Sequence, residues 1–496
     1  MATENRLPVL HARCRGRNYL RFRSSSFLCD WLRFGKSYAN IAELGSYEKL
    51  SLSAIRLKIR CTDKLCRLPL IKPMEVFKHL GDSVEAAWRS VDYDEERFPS
   101  IAAEFLRNEG LPSKMSPWDV LEWGLAQTQL PRQKDVRGNF GDPPITVYTA
   151  PKFFIDVYFW FEGTTAIHQH SFCGGFQVLH GSSIHSWYDF HRDESINVFT
   201  EIGTMSLKSC ELLETGAVQE INSGRRYIHA LFHLDSPSAT ICVRTDKSPV
   251  HLPQFSYHKP SLALDPFYED ETLTKKLQMI SAMLRADRPN ADEHIGKLLE
   301  DSDFQSTYSI LGMLKPALSS NQIERLFNAE QPKLRFDRFV EIAQKRHGKK
   351  IDLLMEVFAS RDRTGEIIHR RSFIKDPEHR FFFALLLNVD GKQRIFDLIN
   401  QRYPEANPIE KVLDWVFDLS QTRVLASNQQ NGLGIHPFDD LDMLIFEQLL
   451  RDRTDNEITS SISAEYPPEK LAQTEETLSD RIAKIKNAVV FGPLFS

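Results

Sequence analysis

Hydrophobic spacing divides the chain into stretches of different period. After Met74 the spacing is helical: Phe98, Ile101, Ala102, Phe105 and Leu106 fall on one face of a 3.6-residue turn. Ser116-Pro117-Trp118-Asp119 marks a second helix start, with the serine as cap and the proline in the first turn. Gly141-Asp142-Pro143-Pro144 ends this helical preface. Between Ile145 and Val243 the period becomes two. Phe153, Ile155, Val157, Phe159 and Phe161 take one face, and Phe154, Asp156, Tyr158 and Trp160 take the other. Such a strand is apolar on both sides and predicts cover on both. Turn residues at Gly181-Ser182-Ser183, Gly203-Thr204, Thr215-Gly216 and Ser223-Gly224 predict short strands, the rhythm of a double-sheet jelly roll or small barrel.

After Pro260 the spacing is helical again. Leu273, Leu277, Ile280 and Leu284 form one stripe, and Leu441, Leu444, Ile445 and Leu449 form another. Between them Ile409, Val412, Leu413, Val416 and Phe417 are led by Asn407 as cap and Pro408 in the first turn. No repeat returns at a fixed period. This stretch is longer than a barrel needs for cover and predicts a helical domain of its own. Asp452 to Glu476, with Pro467-Pro468, is polar and reads as a linker before a last helix. The expected class is α+β, with divisions at 1–73, 74–140, 141–258 and 259–496.

The sharpest chemical signal is Ile167-His168-Gln169-His170. Side chains alternate across a strand, so the two histidines share a side and two imidazoles can converge on one ion. His229, in a later strand-like run, offers a third. Three neutral imidazoles leave the full charge on a divalent metal and keep coordination positions open, which suits catalysis better than structure. Imidazole suits iron, zinc, copper and nickel alike, so the ligands do not choose the metal.

The residues around this pair resemble a cupin, and among cupins the thiol dioxygenases. The resemblance is carried by Tyr148-Thr149, Trp160-Phe161-Glu162-Gly163, the histidine pair and Val178-Leu179-His180-Gly181. Ile228-His229 and the strand Ser238 to Val243 echo the second cupin motif. It implies a metal-binding jelly roll with His168, His170 and His229 as ligands, ferrous iron first among the metals, and dioxygen as co-substrate. The chain also departs from the family. Gly174 stands where many cupins carry a ligand glutamate, Cys173 is one place from the cysteine that some members crosslink to tyrosine, and Ala150 replaces the substrate-binding arginine. His233 stands where many cupins have an asparagine and is a candidate partner for a ligand histidine.

Arg225 and Arg226 precede His229 and form a candidate pair for a substrate carboxylate or phosphate, with a solvated loop charge pair as the favoured alternative. Tyr188 and Gln177 are candidate cavity-lining groups, with ordinary strand positions as the alternative. His180 and His185 flank the glycine turn and read as structural or exposed.

Composition adds limits. The chain has 496 residues, 42% hydrophobic and 26% charged, with net charge −5, and this balance gives no pull toward nucleic acid. Its apolar runs are too short for a membrane span. Residues 1–73 hold 15 Lys and Arg against 5 Asp and Glu, and four of the seven cysteines. This basic segment reads as an organellar targeting sequence, as a weak zinc site, or as sequence upstream of a true start at Met74, the reading favoured here. The cysteines lack framework spacing, which fits a cytoplasmic protein. The expected function is a metal-dependent cupin oxygenase with Fe(II) and a small-molecule substrate. Its rivals are a zinc or manganese hydrolase or isomerase at the same site, and a non-enzymatic sensor whose helical half docks a protein partner.

Overall fold

The computed structural model describes residues 73–134, 136, 140–161, 165–319, 332–422, 431–435, 437–466 and 477–495. Apart from Pro73, which starts a helix, the expectations for the basic segment fall outside this set, as does Pro467-Pro468. Arg67–Ser496 form one compact unit. Among the described residues no helix is long and apolar enough to cross a membrane.

The preface folds as α1 (Pro73–Arg89), α2 (Phe98–Glu109), α3 (Leu111–Lys114) and α4 (Pro117–Ala126). α4 starts where its sequence dictates. Ser116 accepts from Asp119 N, Asp119 reciprocates at the Ser116 backbone, and Pro117 opens the first turn. The strands follow: β1 (Pro144–Thr149), β2 (Phe153–Trp160), β3 (Ile167–His170), β4 (Gly174–His180), β5 (Ser183–Asn197), β6 (Thr200–Leu213), β7 (Val218–Ile221), β8 (Gly224–His233), β9 (Ser238–Thr245), β10 (Ser256–His258) and β11 (Leu262–Leu264).

They build two antiparallel sheets, one in the order β1-β2-β9-β4-β7 and one closed on itself as β10-β11-β6-β5-β8-β3. The sheets face each other across a core of Tyr158, Trp160, Phe176, Val178 and Cys242 from the first and Leu213, Tyr227 and Leu231 from the second. The opposite face of β2, Phe153, Ile155, Val157 and Phe159, packs under the N-terminal helices, which explains why this strand is apolar on both sides. α2 lies so close on β4 that a Cβ at Gly175 would meet the Ala103 backbone nitrogen at 3.1 Å. The architecture is α+β: a double-sheet β-barrel with helices before it and a large α-helical region after it.

Local reading fails in three places. Gly203-Thr204 is not a turn but part of β6, where a Cβ at Gly203 would meet Phe190 Cζ at 2.7 Å; β5 and β6 form one long hairpin that reverses at Val198 and Phe199. Strands continue past 258 to β11, because three-residue closing strands are too short to show a period. The polar stretch after Asp452 contains the helix Asp455–Glu465, started by a Thr454–Glu457 capping box and held by buried Ile458 and Ile462.

Two cores join the barrel to the later helices. One combines Ile202, Leu262 and Leu264 with the helices between Glu271 and Phe373. The other sets Ile184, Leu212, Phe232 and Leu234 against helix Pro377–Asn388 and its neighbours. Phe381 through Leu386 of that helix are fully buried, so it is the hub of the helical half.

Candidate metal centre

His168 on β3 and His229 on β8 are register partners, and His170 follows on the same side of β3. On β8 the residues alternate between two cores. Tyr227 and Leu231 belong to the core between the sheets, whereas Ile228 and Ala230 belong to a second core inside the closed strands. His229 therefore projects between the sheets, and the site lies there rather than inside the closed set.

The three rings gather with centroids 4.6 Å (His168–His170), 4.7 Å (His168–His229) and 5.0 Å (His170–His229) apart. One nitrogen from each lies within 4.8 Å of the others. His170 Nε2 and His229 Nε2 are 2.9 Å apart. Two ligands at about 2.1 Å from one ion, set at right angles, would be separated by about 3.0 Å. His168 Nδ1 lies 2.7 Å from the Ala166 carbonyl, which can only accept, so its proton sits on Nδ1 and Nε2 is bare. All three side chains are at most 9% exposed. Burial is the main cause that holds each below the ordinary histidine pKa, so they are neutral and can bind metal.

A carboxylate ligand at position 174 is excluded by packing. A Cβ on Gly174 would lie 2.8 Å from Arg244 Cα and closer still to the Val243 carbonyl oxygen. The donor set is thus three imidazoles, and these residues can hold a divalent ion.

The walls are aromatic and tight. Phe172 lies 4.4 Å from the His170 ring and Tyr227 4.4 Å from the His229 ring. The Tyr227 hydroxyl and His170 Nδ1 are buried with no hydrogen-bond partner among the described residues. Arg244 on β9 sits between the rings of Phe154 (4.6 Å) and Phe172 (4.5 Å) and 3.6 Å from Asp156. Its charge is one of the causes that lower His170.

The other candidate residues do not converge here. His233 faces the core between the sheets but stacks on Trp160 at 4.6 Å, with its Nδ1 at 3.0 Å from Ser183 Oγ and 2.9 Å from Ser238 Oγ, and is not hydrogen-bonded to a ligand histidine. Burial, aided by Arg371, pushes its pKa down to about 3. Tyr188 pairs with Ile228 and points into the core inside the closed strands, away from the triad, where burial raises its pKa. Arg225 is bound by Glu201 at 2.5 and 2.6 Å, and Arg226 by Glu96 at 2.9 and 2.8 Å. Gln177 donates to Gly216 O, and His180 is exposed.

Sequence reasoning missed His185. It is fully buried, with Nε2 at 3.0 Å from His229 Nδ1 and Nδ1 at 3.1 Å from Glu211 Oε1. The only signal for it was His185-Ser186-Trp187, two inward positions on a strand, and nothing local said that this strand lies beside His229. A cleft of about 300 Å³ opens elsewhere, in the helical half, lined by Asp376, Glu378, His379, Lys411, Trp415 and Asp418 among others.

No family model and no curated protein matches the chain. Among solved structures, a cupin-2 domain protein from Shewanella frigidimarina is 14% identical over 22% of this chain and 85% of its own, with a TM-score of 0.15. A structure of DMSP lyases is 13% identical over 36% of this chain and 94% of its own, with a TM-score of 0.21. Both overlaps cover a minority of this chain.

Proposed function

We propose that this protein is a mononuclear, metal-dependent cupin oxygenase, with Fe(II) as its ion and a small molecule as its substrate. The carrying observation is the convergence of His168, His170 and His229, neutral and without a carboxylate, among aromatic side chains between the sheets. When bound there, ferrous iron supplies open coordination positions and one-electron chemistry toward dioxygen. His168, His170 and His229 would hold the ion, and the Phe172 and Tyr227 rings packed at 4.4 Å from His170 and His229 limit water there. Carboxylates near the site are already bonded: Asp156 accepts from Thr146 Oγ1 and Tyr158, and Glu211 accepts from Trp187 and Gln219. That leaves them poor general bases and favours oxygen chemistry over zinc or manganese hydrolysis. We place the protein in the cytoplasm, in keeping with its free Cys173, Cys210 and Cys242.

A second reading is a metal-binding sensor whose helical half meets a protein partner. It is favoured by the near-complete burial of the triad and by the cleft among the later helices. Metal analysis after anaerobic purification, repeated on His168→Ala and His229→Ala, tests the site. Retained iron with oxygen uptake supports the oxygenase; retained metal without uptake across a panel of small acids and thiols supports the sensor. A wild-type chain that retains no metal from any divalent ion offered removes both.

A further inference from the structure

Glu211 on β6 gathers donors from two other strands onto one oxygen. Its Oε1 accepts from Trp187 Nε1 of β5 at 3.0 Å and from Gln219 Nε2 of β7 at 3.0 Å, and lies 3.1 Å from His185 Nδ1 of β5. An ionised carboxylate has no proton to give, so the proton between it and His185 sits on His185 Nδ1. A neutral imidazole has one N–H, which leaves His185 Nε2 bare. That bare atom is 3.0 Å from His229 Nδ1, so His229 is the donor in this contact. With its proton on Nδ1, His229 turns a lone pair on Nε2 toward His170 Nε2 and the centre of the triad.

We infer that Glu211 and His185 are positioning residues: they fix His229 in its Nδ1-protonated tautomer and make it the most strongly donating of the three ligands. The other two lack such support. His168 Nδ1 contacts a neutral carbonyl, and His170 Nδ1 has no hydrogen-bond partner among the described residues. The purpose of this chain of contacts rests on the metal reading above, but the tautomer exists with or without an ion. A simple structural ion pair between His185 and Glu211 would need no acceptor aimed at His229. A charged partner behind a ligand histidine typically changes metal affinity by about 10–100-fold.

The test uses the full chain with ¹⁵N-labelled histidine. Long-range ¹H–¹⁵N spectra of the metal-free protein, with His229 assigned by its loss in His229→Gln, report the tautomer. The wild type is expected to show His229 protonated on Nδ1, and His185→Phe, which removes the acceptor, is expected to move it toward the Nε2-protonated form. Glu211→Gln keeps an acceptor oxygen and is expected to preserve the tautomer while weakening cobalt(II) binding about 10-fold or more. A wild-type His229 protonated on Nε2 overturns the inference, as does an unchanged tautomer in a folded His185→Phe. If the wild type binds no cobalt, the metal reading falls, and the tautomer spectra alone decide this inference.

Discussion

Metal added to the purified protein should raise its unfolding temperature by a calculable amount, and the triad should account for all of it. The perturbation is removal of one imidazole at a time, as His168→Ala, His170→Ala and His229→Ala. Little reorganisation is needed for one pair, because His170 Nε2 and His229 Nε2 already stand 2.9 Å apart. One ring nitrogen of His168 completes a set whose members all lie within 4.8 Å of one another. At a free metal concentration of a hundred times Kd, linkage adds about 2.7 kcal/mol of stability. The compact unit holds about 430 residues, for which the unfolding entropy corresponds to roughly 0.9 kcal/mol per degree. The expected rise is therefore about 3 °C on adding cobalt(II) or zinc(II), read by differential scanning calorimetry with and without metal. Comparing each variant with itself cancels the packing lost with the ring. A shift of the same size in all three variants would place the ion elsewhere and refute the reasoning.

Gly174→Glu should not create a fourth ligand but destabilise the protein, because its Cβ meets β9 backbone that cannot yield; overpacking of this kind costs about 1–3 kcal/mol or more, measured by urea unfolding. Phe232→Ala removes a fully buried ring that joins β8 to the helical half and should cost about 3–5 kcal/mol while keeping a single cooperative transition; two separated transitions would count against a shared core. His233, with its pKa near 3 in the fold against 6.5 as the ordinary value, takes up a proton only on unfolding over that interval. Stability should then fall as pH drops below 6.5, and a folded His233→Gln should flatten that fall by about 1.4 kcal/mol per pH unit. An unchanged slope would show that His233 is not buried as described.

His168 and His170 were legible because strand alternation is a local rule: two residues apart means one side. His229 was legible as a third candidate from its motif, and the structure brings it to the other two. The partner of His229 was not. His233 looked suitable because it lies four residues away on the same strand, but the structure gives that contact to His185, 44 residues away in sequence. Tyr188 failed for a related reason. It differs by one position from Trp187, the register partner of His229, and one position on a strand exchanges the two cores.

The sequence by itself determined what depends on neighbours along the chain: the helical period before and after the strands, the caps at Ser116 and Asn407, the two-faced apolar strand β2 and the shared side of the histidine pair. Only the tertiary structure decided which strands lie beside one another. That choice set β5 against β8, brought Glu211 and His185 behind His229, turned Tyr188 away from it and tied the later helices to the barrel through Phe232. Pairing between distant strands is selected by the burial of whole faces at once, a collective free energy that no short stretch of residues contains.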